Sequence, residues 1–177
     1  MIVTEKQQKI LTTALELFAE EGFQGTSTNK IAKAAGVSEG LIFRHFKNKE
    51  GLLNAILEQG QELAVAYFAP LAEMTDPKAI LSTIISIPFH INETEHKFWR
   101  LIYTLKWQQQ KYNSISFDFM LEKAAQAFKE LGYSDPKAEV VILEMILDGA
   151  ATVILLKDQQ YDKLKTLNAI KNKYNLA

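Results

Sequence analysis

The stretch from Thr26 to Leu53, TSTNKIAKAAGVSEGLIFRHFKNKEGLL, constrains the fold more than any other part of the chain. Ile31, Ala32 and Ala35 give a short helix near 28–35 one apolar side, and Gly36 supplies a tight turn. Ser38 stands where it would cap a second helix near 39–45, and a third, longer helix starts almost at once. Two short helices across a tight turn predict a helix-turn-helix, whose second helix fits a DNA major groove. Charge agrees. Residues 24 to 49 carry Lys30, Lys33, Arg44, Lys47 and Lys49 against the single acid Glu39, while the whole chain nets −1. The positive charge is therefore local, as a phosphate-facing surface requires.

At 177 residues the chain has room for one domain or for a small and a medium one, and 47% apolar residues suffice for a core. No cysteine is present, which excludes disulfides, thiolate metal sites and a cysteine nucleophile. The opening MIVTEKQQKI lacks the apolar core of a signal peptide. The uncharged apolar run Gly149 to Leu156 is far short of the roughly 20 residues a membrane helix needs. The expectation is a soluble, cytoplasmic protein without membrane contact.

An all-α fold of about nine helices is predicted, because no alternating run of strand length occurs. Thr4 and Gln7 have capping-box spacing ahead of a helix to Glu21, which Gly22 ends. Asn48 caps a long helix that ends or kinks at Pro70. Asp76-Pro77 opens the next, which Pro88 closes or bends, and Asn92 with Glu95 predicts a capping box for a helix to about Lys111. Helices near 115–131, 135–157 and 159–173 complete the chain. The boundary falls at Lys47-Asn48: residues 1–47 form a DNA-binding domain, and 48–177 an effector-binding and dimerisation domain.

Ile31-Ala32, Ala35-Gly36-Val37-Ser38, Gly40, His45-Phe46 and Lys49-Glu50 with Leu52-Leu53 together resemble the TetR/AcrR family of bacterial transcriptional regulators. The likeness covers about Thr4 to Gln59, and the remainder resembles the family only in being helical and ending with two apolar helices. It implies a recognition helix Glu39 to His45, with Thr28 and Lys49 as phosphate contacts at opposite edges of the motif. The candidates for facing DNA are Asn29, Glu39, Gly40, Leu41, Phe43, Arg44 and His45. Arg44 has the donors to read guanine, and Asn29 the amide to read adenine. Gly40 would allow close backbone approach. Two positions stand out. The family usually has tyrosine at Phe43, so a phosphate-contacting hydroxyl is missing here. Glu39 can accept from cytosine N4, yet an acid at a helix N-terminus is also ordinary.

The resemblance also implies an effector cavity. Residues 89 to 128 hold both tryptophans and many other rings, and the expected lining is Tyr67, Phe68, Phe89, His90, Trp99, Tyr103, Trp107, Phe117 and Met120. Core packing is the alternative use of such rings. His90, Glu93, Glu95 and His96 suggest a metal site, but there is no second Glu-x-x-His, and His90 and His96 lie about 240° apart around a helix. No metal and no cofactor is expected. The run Val140 to Leu156 is apolar on more than one side, so it is either central or packs on a partner. The expected two-fold interface uses Val140, Ile146, Gly149, Ala150, Val153, Leu164 and Leu167.

These readings converge on a homodimeric regulator, most simply a repressor released from a near-palindromic operator in double-stranded DNA by a small, largely apolar effector. A helical carrier or enzyme is the alternative. It would leave the basic motif unexplained, and no nucleophile elbow or phosphate-binding glycine loop is present.

Overall fold

A computed structural model describes residues 4–108, 117–156 and 161–176, and all regular structure in them is helical. Two compact units divide the chain: Met1–Leu63 with Thr94–Ile115, and Ala64–Glu93 with Ser116–Ala177.

In the first unit, α1 (Glu5–Glu21) starts at the expected capping box. Thr4 Oγ1 accepts from the Gln7 amide, and Gln7 Oε1 accepts from the Thr4 amide. Its inner face buries Ile10, Leu11, Ala14 and Phe18. Gly22 ends it at φ 81°, a backbone that L side chains resist. Thr26, buried in the turn that follows, donates to the carbonyl of Gly22 at 2.9 Å. Next come α2 (Thr28–Ala35), capped by Ser27, and α3 (Glu39–Phe46), separated by Gly36 in the left-handed region. Ser38 holds the N-cap position of α3, but its side chain makes no capping hydrogen bond. Asn48 does cap α4 (Lys49–Phe68), accepting from the Gly51 amide at 2.7 Å. After α4 come α5 (Pro70–Glu73), α6 (Pro77–His90), α7 (His96–Gln108), α8 (Asp118–Glu130), α9 (Pro136–Leu155) and α10 (Lys163–Lys173).

The second helix pair of the unit, α1 and α7, packs around Phe18, Phe98, Trp99, Leu101 and Leu105, all buried. Gly60 explains itself here. A Cβ on it would lie 1.7 Å from Phe98 Cζ, so the buried Phe98 ring occupies the space. Alanine normally favours a helix interior over glycine by about 1 kcal/mol. Overpacking nevertheless costs about 1–3 kcal/mol. Gly60→Ala is expected to lower stability in urea unfolding, and an unchanged or raised midpoint would mean that Phe98 swings aside freely.

The second unit is built on α6, whose buried Ile80, Leu81, Ile84, Ile85 and Pro88 face α8, α9 and α10. Asp76-Pro77 and Asp135-Pro136 open α6 and α9 as their sequences predict, and Asp162 caps α10. Three boundaries differ from expectation. Pro88 lies inside α6, which runs on to His90; so near the end, its missing N–H removes only one late hydrogen bond. Asn92 does not open a helix: a 3-10 turn, Glu93–Glu95, intervenes before α7 starts at His96. The last helix starts at Lys163, with Tyr161 ahead of it. Among the described residues, no helix is long and apolar enough to cross a membrane.

Candidate nucleic-acid interface

The helix-turn-helix hides Ile31, Ala32, Ala35 and Ile42 and turns its polar side outward. On α3, Gly40 and Arg44 are exposed, Phe43 is 47% exposed, and Leu41 and His45 are half-buried. Nothing lies within 4 Å of where a Gly40 Cβ would be, so Gly40 leaves open space on this face. Gln7 Nε2 can only donate, so His45 Nδ1, 3.3 Å away, accepts, which puts the neutral ring's proton on Nε2.

Thr28, Phe43 and Lys49, drawn from three helices, line one open groove of about 340 Å³ with Gln24, Gly25, Thr26 and Ser27. Thr28 and Lys49 therefore share a groove instead of bracketing the motif from opposite edges, because α4 begins only two residues after α3 and returns beside the start of α2. The Lys49 ammonium donates to the Phe23 carbonyl at 2.9 Å and sits 4.4 Å from the centre of the Phe23 ring. Lys30 pairs with Glu21 at 2.5 Å, while Lys33, Arg44 and Lys47 are exposed cations of the motif.

Glu39, the first residue of α3, points back to α2. Its Oε1 accepts from Thr28 Oγ1 at 2.6 Å, and its Oε2 accepts from Asn29 Nδ2 at 3.3 Å. Those hydrogen bonds, Thr28's first, hold its carboxyl below the usual range, with Lys33 helping.

Residues 10–56 match the family model described as "Bacterial regulatory proteins, tetR family". That match spans the helix-turn-helix and gives the chain a TetR-like DNA-binding region. The fatty acid metabolism regulator protein of Bacillus subtilis (strain 168) is 26% identical over 93% of this chain and 91% of its own length. The transcriptional regulator AcrR of Shigella flexneri is 38% identical over 52% of this chain but only 44% of its own length, so the higher identity is regional. The solved structure of the regulator FadR from Bacillus subtilis, in complex with stearoyl-CoA, superposes with a TM-score of 0.66 at 21% identity, covering 93% of this chain and 95% of that one. These similarities support a DNA-binding, ligand-responsive transcriptional regulator.

The residues expected to line an effector cavity have different surroundings among the described residues. Tyr67 and His90 line a cleft of about 330 Å³ in the second unit, together with Ser82, Thr83, Ser86, Ile87 and Lys171. Phe68 is buried edge-on to Phe117, Met120 is buried, and Phe89 stacks on Tyr161. Trp99 and Tyr103 belong to the first unit, where Trp99 is buried against Phe98. The Trp107 side chain lies outside the described residues, as does Tyr112. Hydroxyls, His90 and Lys171 line this cleft beside the apolar Tyr67 ring and Ile87. Ser82, Ser86 and His90 recur every four residues on α6, a stripe the sequence does carry. His90 Nδ1 lies 2.8 Å from the Ser86 carbonyl, so it must be the protonated nitrogen. Among the described residues, no group of three His, Asp or Glu side chains could hold a metal ion.

The expected interface residues differ in exposure within one chain. Ala150 and Leu167 are buried within the subunit, Val140, Ile146 and Val153 are half-buried, and only Gly149 and Leu164 are exposed. The open apolar positions of α9 and its C-cap are Val141, Ile142, Met145 and Leu156, the last two 68% and 72% exposed. With Gly149 they follow helical spacing along one face.

Proposed function

We propose that the chain is a homodimeric repressor, acting in the cytoplasm on a near-palindromic operator, and that it is not an enzyme. The observation that carries this reading is the outward face of α3, with Gly40, Phe43 and Arg44 exposed beside the groove of Thr28 and Lys49. Asn29, Glu39, Leu41 and His45 complete the surface that meets DNA. Residues 1–47 do the reading, and residues 48–177 bind effector and dimerise. The apolar stripe of α9, with Leu164 of α10, meets its two-fold copy, because large exposed apolar side chains at helical spacing mark an interaction surface.

The effector carries an anionic or strongly polar head, which suits Lys171, His90 and the hydroxyls of Ser82, Thr83 and Ser86. Fatty acyl derivatives are the class to test first, given the name of the Bacillus subtilis relative. Such a ligand keeps the largely apolar body expected from the aromatics and adds a polar head. Coupling would run through α4, a continuous helix with Lys49 in its first turn and Tyr67 and Phe68 in its last. A ligand with unequal affinity for two settings of that helix shifts DNA affinity.

Selection of purified protein on random duplex DNA tests the reading. The wild type should enrich a near-palindrome. Arg44→Ala should weaken it by about 10- to 100-fold and relax one position of each half-site, since a bidentate arginine–guanine pair discriminates by about 1–3 kcal/mol. A folded wild type that enriches nothing at low salt would sink the proposal.

A further inference from the structure

Both carboxylate oxygens of Glu39 are engaged from α2, by the Thr28 hydroxyl on one side and the Asn29 amide on the other. A threonine hydroxyl has one proton. At 2.6 Å from Glu39 Oε1 that proton is committed to the carboxylate, and it is not available to a phosphate oxygen. The remaining lone pairs on Thr28 Oγ1 would face a phosphate acceptor to acceptor. The anion of Glu39 is itself repelled by phosphates, so a place for it against DNA exists only at a base edge that donates.

Base edges in the major groove narrow the choice. A carboxylate has no proton to give, so guanine N7 and O6 and thymine O4 offer it nothing. Adenine donates from N6 but sets the acceptor N7 beside it. Cytosine donates from N4 and presents no acceptor of its own there. A long glutamate side chain ordinarily surrenders rotamer freedom on binding. Here the two α2 donors have already ordered it, at the first residue of the recognition helix, half-buried and facing the same side as Asn29.

We infer that Glu39 is the specificity-determining residue that selects a cytosine in each half-site, and that Thr28 and Asn29 are positioning residues acting through its carboxylate. This rests on the DNA-reading function above. It departs from the roles the family resemblance implies for Thr28, a phosphate contact, and from an independent adenine contact for Asn29.

The experiment is the same selection on random duplexes with full-length wild type, Glu39→Gln, Glu39→Ala, Thr28→Val, Thr28→Ser and the double variant Thr28→Val/Glu39→Ala. Circular dichroism and urea unfolding accompany each. Wild type should show a cytosine preference that Glu39→Gln converts to adenine, because a primary amide pairs with N6 and N7 together. Removing the charge also raises affinity for all sequences, so the readout is the preference at that one position. Thr28→Val should relax the same position several-fold, Thr28→Ser should restore it, and the double variant should resemble Glu39→Ala alone. A Thr28→Val protein that loses affinity evenly over all sequences, with the cytosine preference intact, would restore Thr28 as a phosphate contact and overturn the inference. So would a Glu39→Gln matrix identical to the wild type's. If wild type yields an operator, these failures concern Glu39 alone; if it yields none, the DNA-reading function falls and this inference with it.

Discussion

Met145→Lys is expected to turn a dimer into a monomer and to reduce operator affinity by a hundredfold or more. Met145 is 68% exposed in the single chain, so lysine there has water around it and should leave the fold of the subunit unchanged. In a two-fold interface each residue on the patch meets the matching patch of its copy. The substitution therefore introduces two like charges into one apolar contact, where an unpaired buried charge is strongly unfavourable. Sedimentation should report a monomer at concentrations where wild type is a dimer. Operator binding should fall because two linked half-site contacts exceed one by about 10²- to 10⁴-fold. Leu156→Lys should act in the same direction, at a position 72% exposed in the same helix face. A Met145→Lys protein that remains dimeric would remove this face of α9 from the interface and return attention to Val140, Ile146 and Val153.

That face shows why some features were legible in the sequence and others were not. Ends of helices are written in local chemistry: Thr4 with Gln7, Gly36, Asp76-Pro77 and Asp135-Pro136 each satisfy or remove particular backbone groups within a few residues. The helix-turn-helix is local in the same sense, and both its order and its buried side were readable. Asn92 and Glu95 carry the same local signal, yet a 3-10 turn takes the segment and α7 starts at His96. A propensity that weak yields to packing. The orientation of α9 was not readable for a different reason. Apolar residues surround most of the helix, so periodicity gives no indication whether Leu143, Leu147 and Ile154 or Val141, Met145 and Leu156 face the subunit's own core. Rings are ambiguous in the sequence because cores absorb them as readily as cavities do, and Trp99 and Phe68 are both buried. The Glu39 clasp was out of reach as well, since it joins positions on two helices whose approach depends on the turn between them.

Phe18→Ala is expected to cost about 3–5 kcal/mol, a large share of the stability of a small domain. Phe18 is fully buried on α1, and its ring meets Phe23 edge-on at 5.1 Å. Phe23 in turn provides the ring beneath the Lys49 ammonium and the carbonyl that accepts from it. The cavity left by alanine would thus lie two contacts from the groove of Thr28, Phe43 and Lys49, beside the turn from Gly22 to Ser27 that joins α1 to α2. Urea unfolding would read the stability loss, and operator binding well below the unfolding midpoint would read its effect on the groove. Loss of both follows if the Phe18–Phe23 pair holds Lys49 in place. A stability loss with full operator affinity in the folded fraction would mean that Lys49 keeps its position without that pair. A change under about 1 kcal/mol would mean that the α1 core collapses into the space, which its tight packing around Ile10, Ala14 and Phe18, all fully buried, argues against.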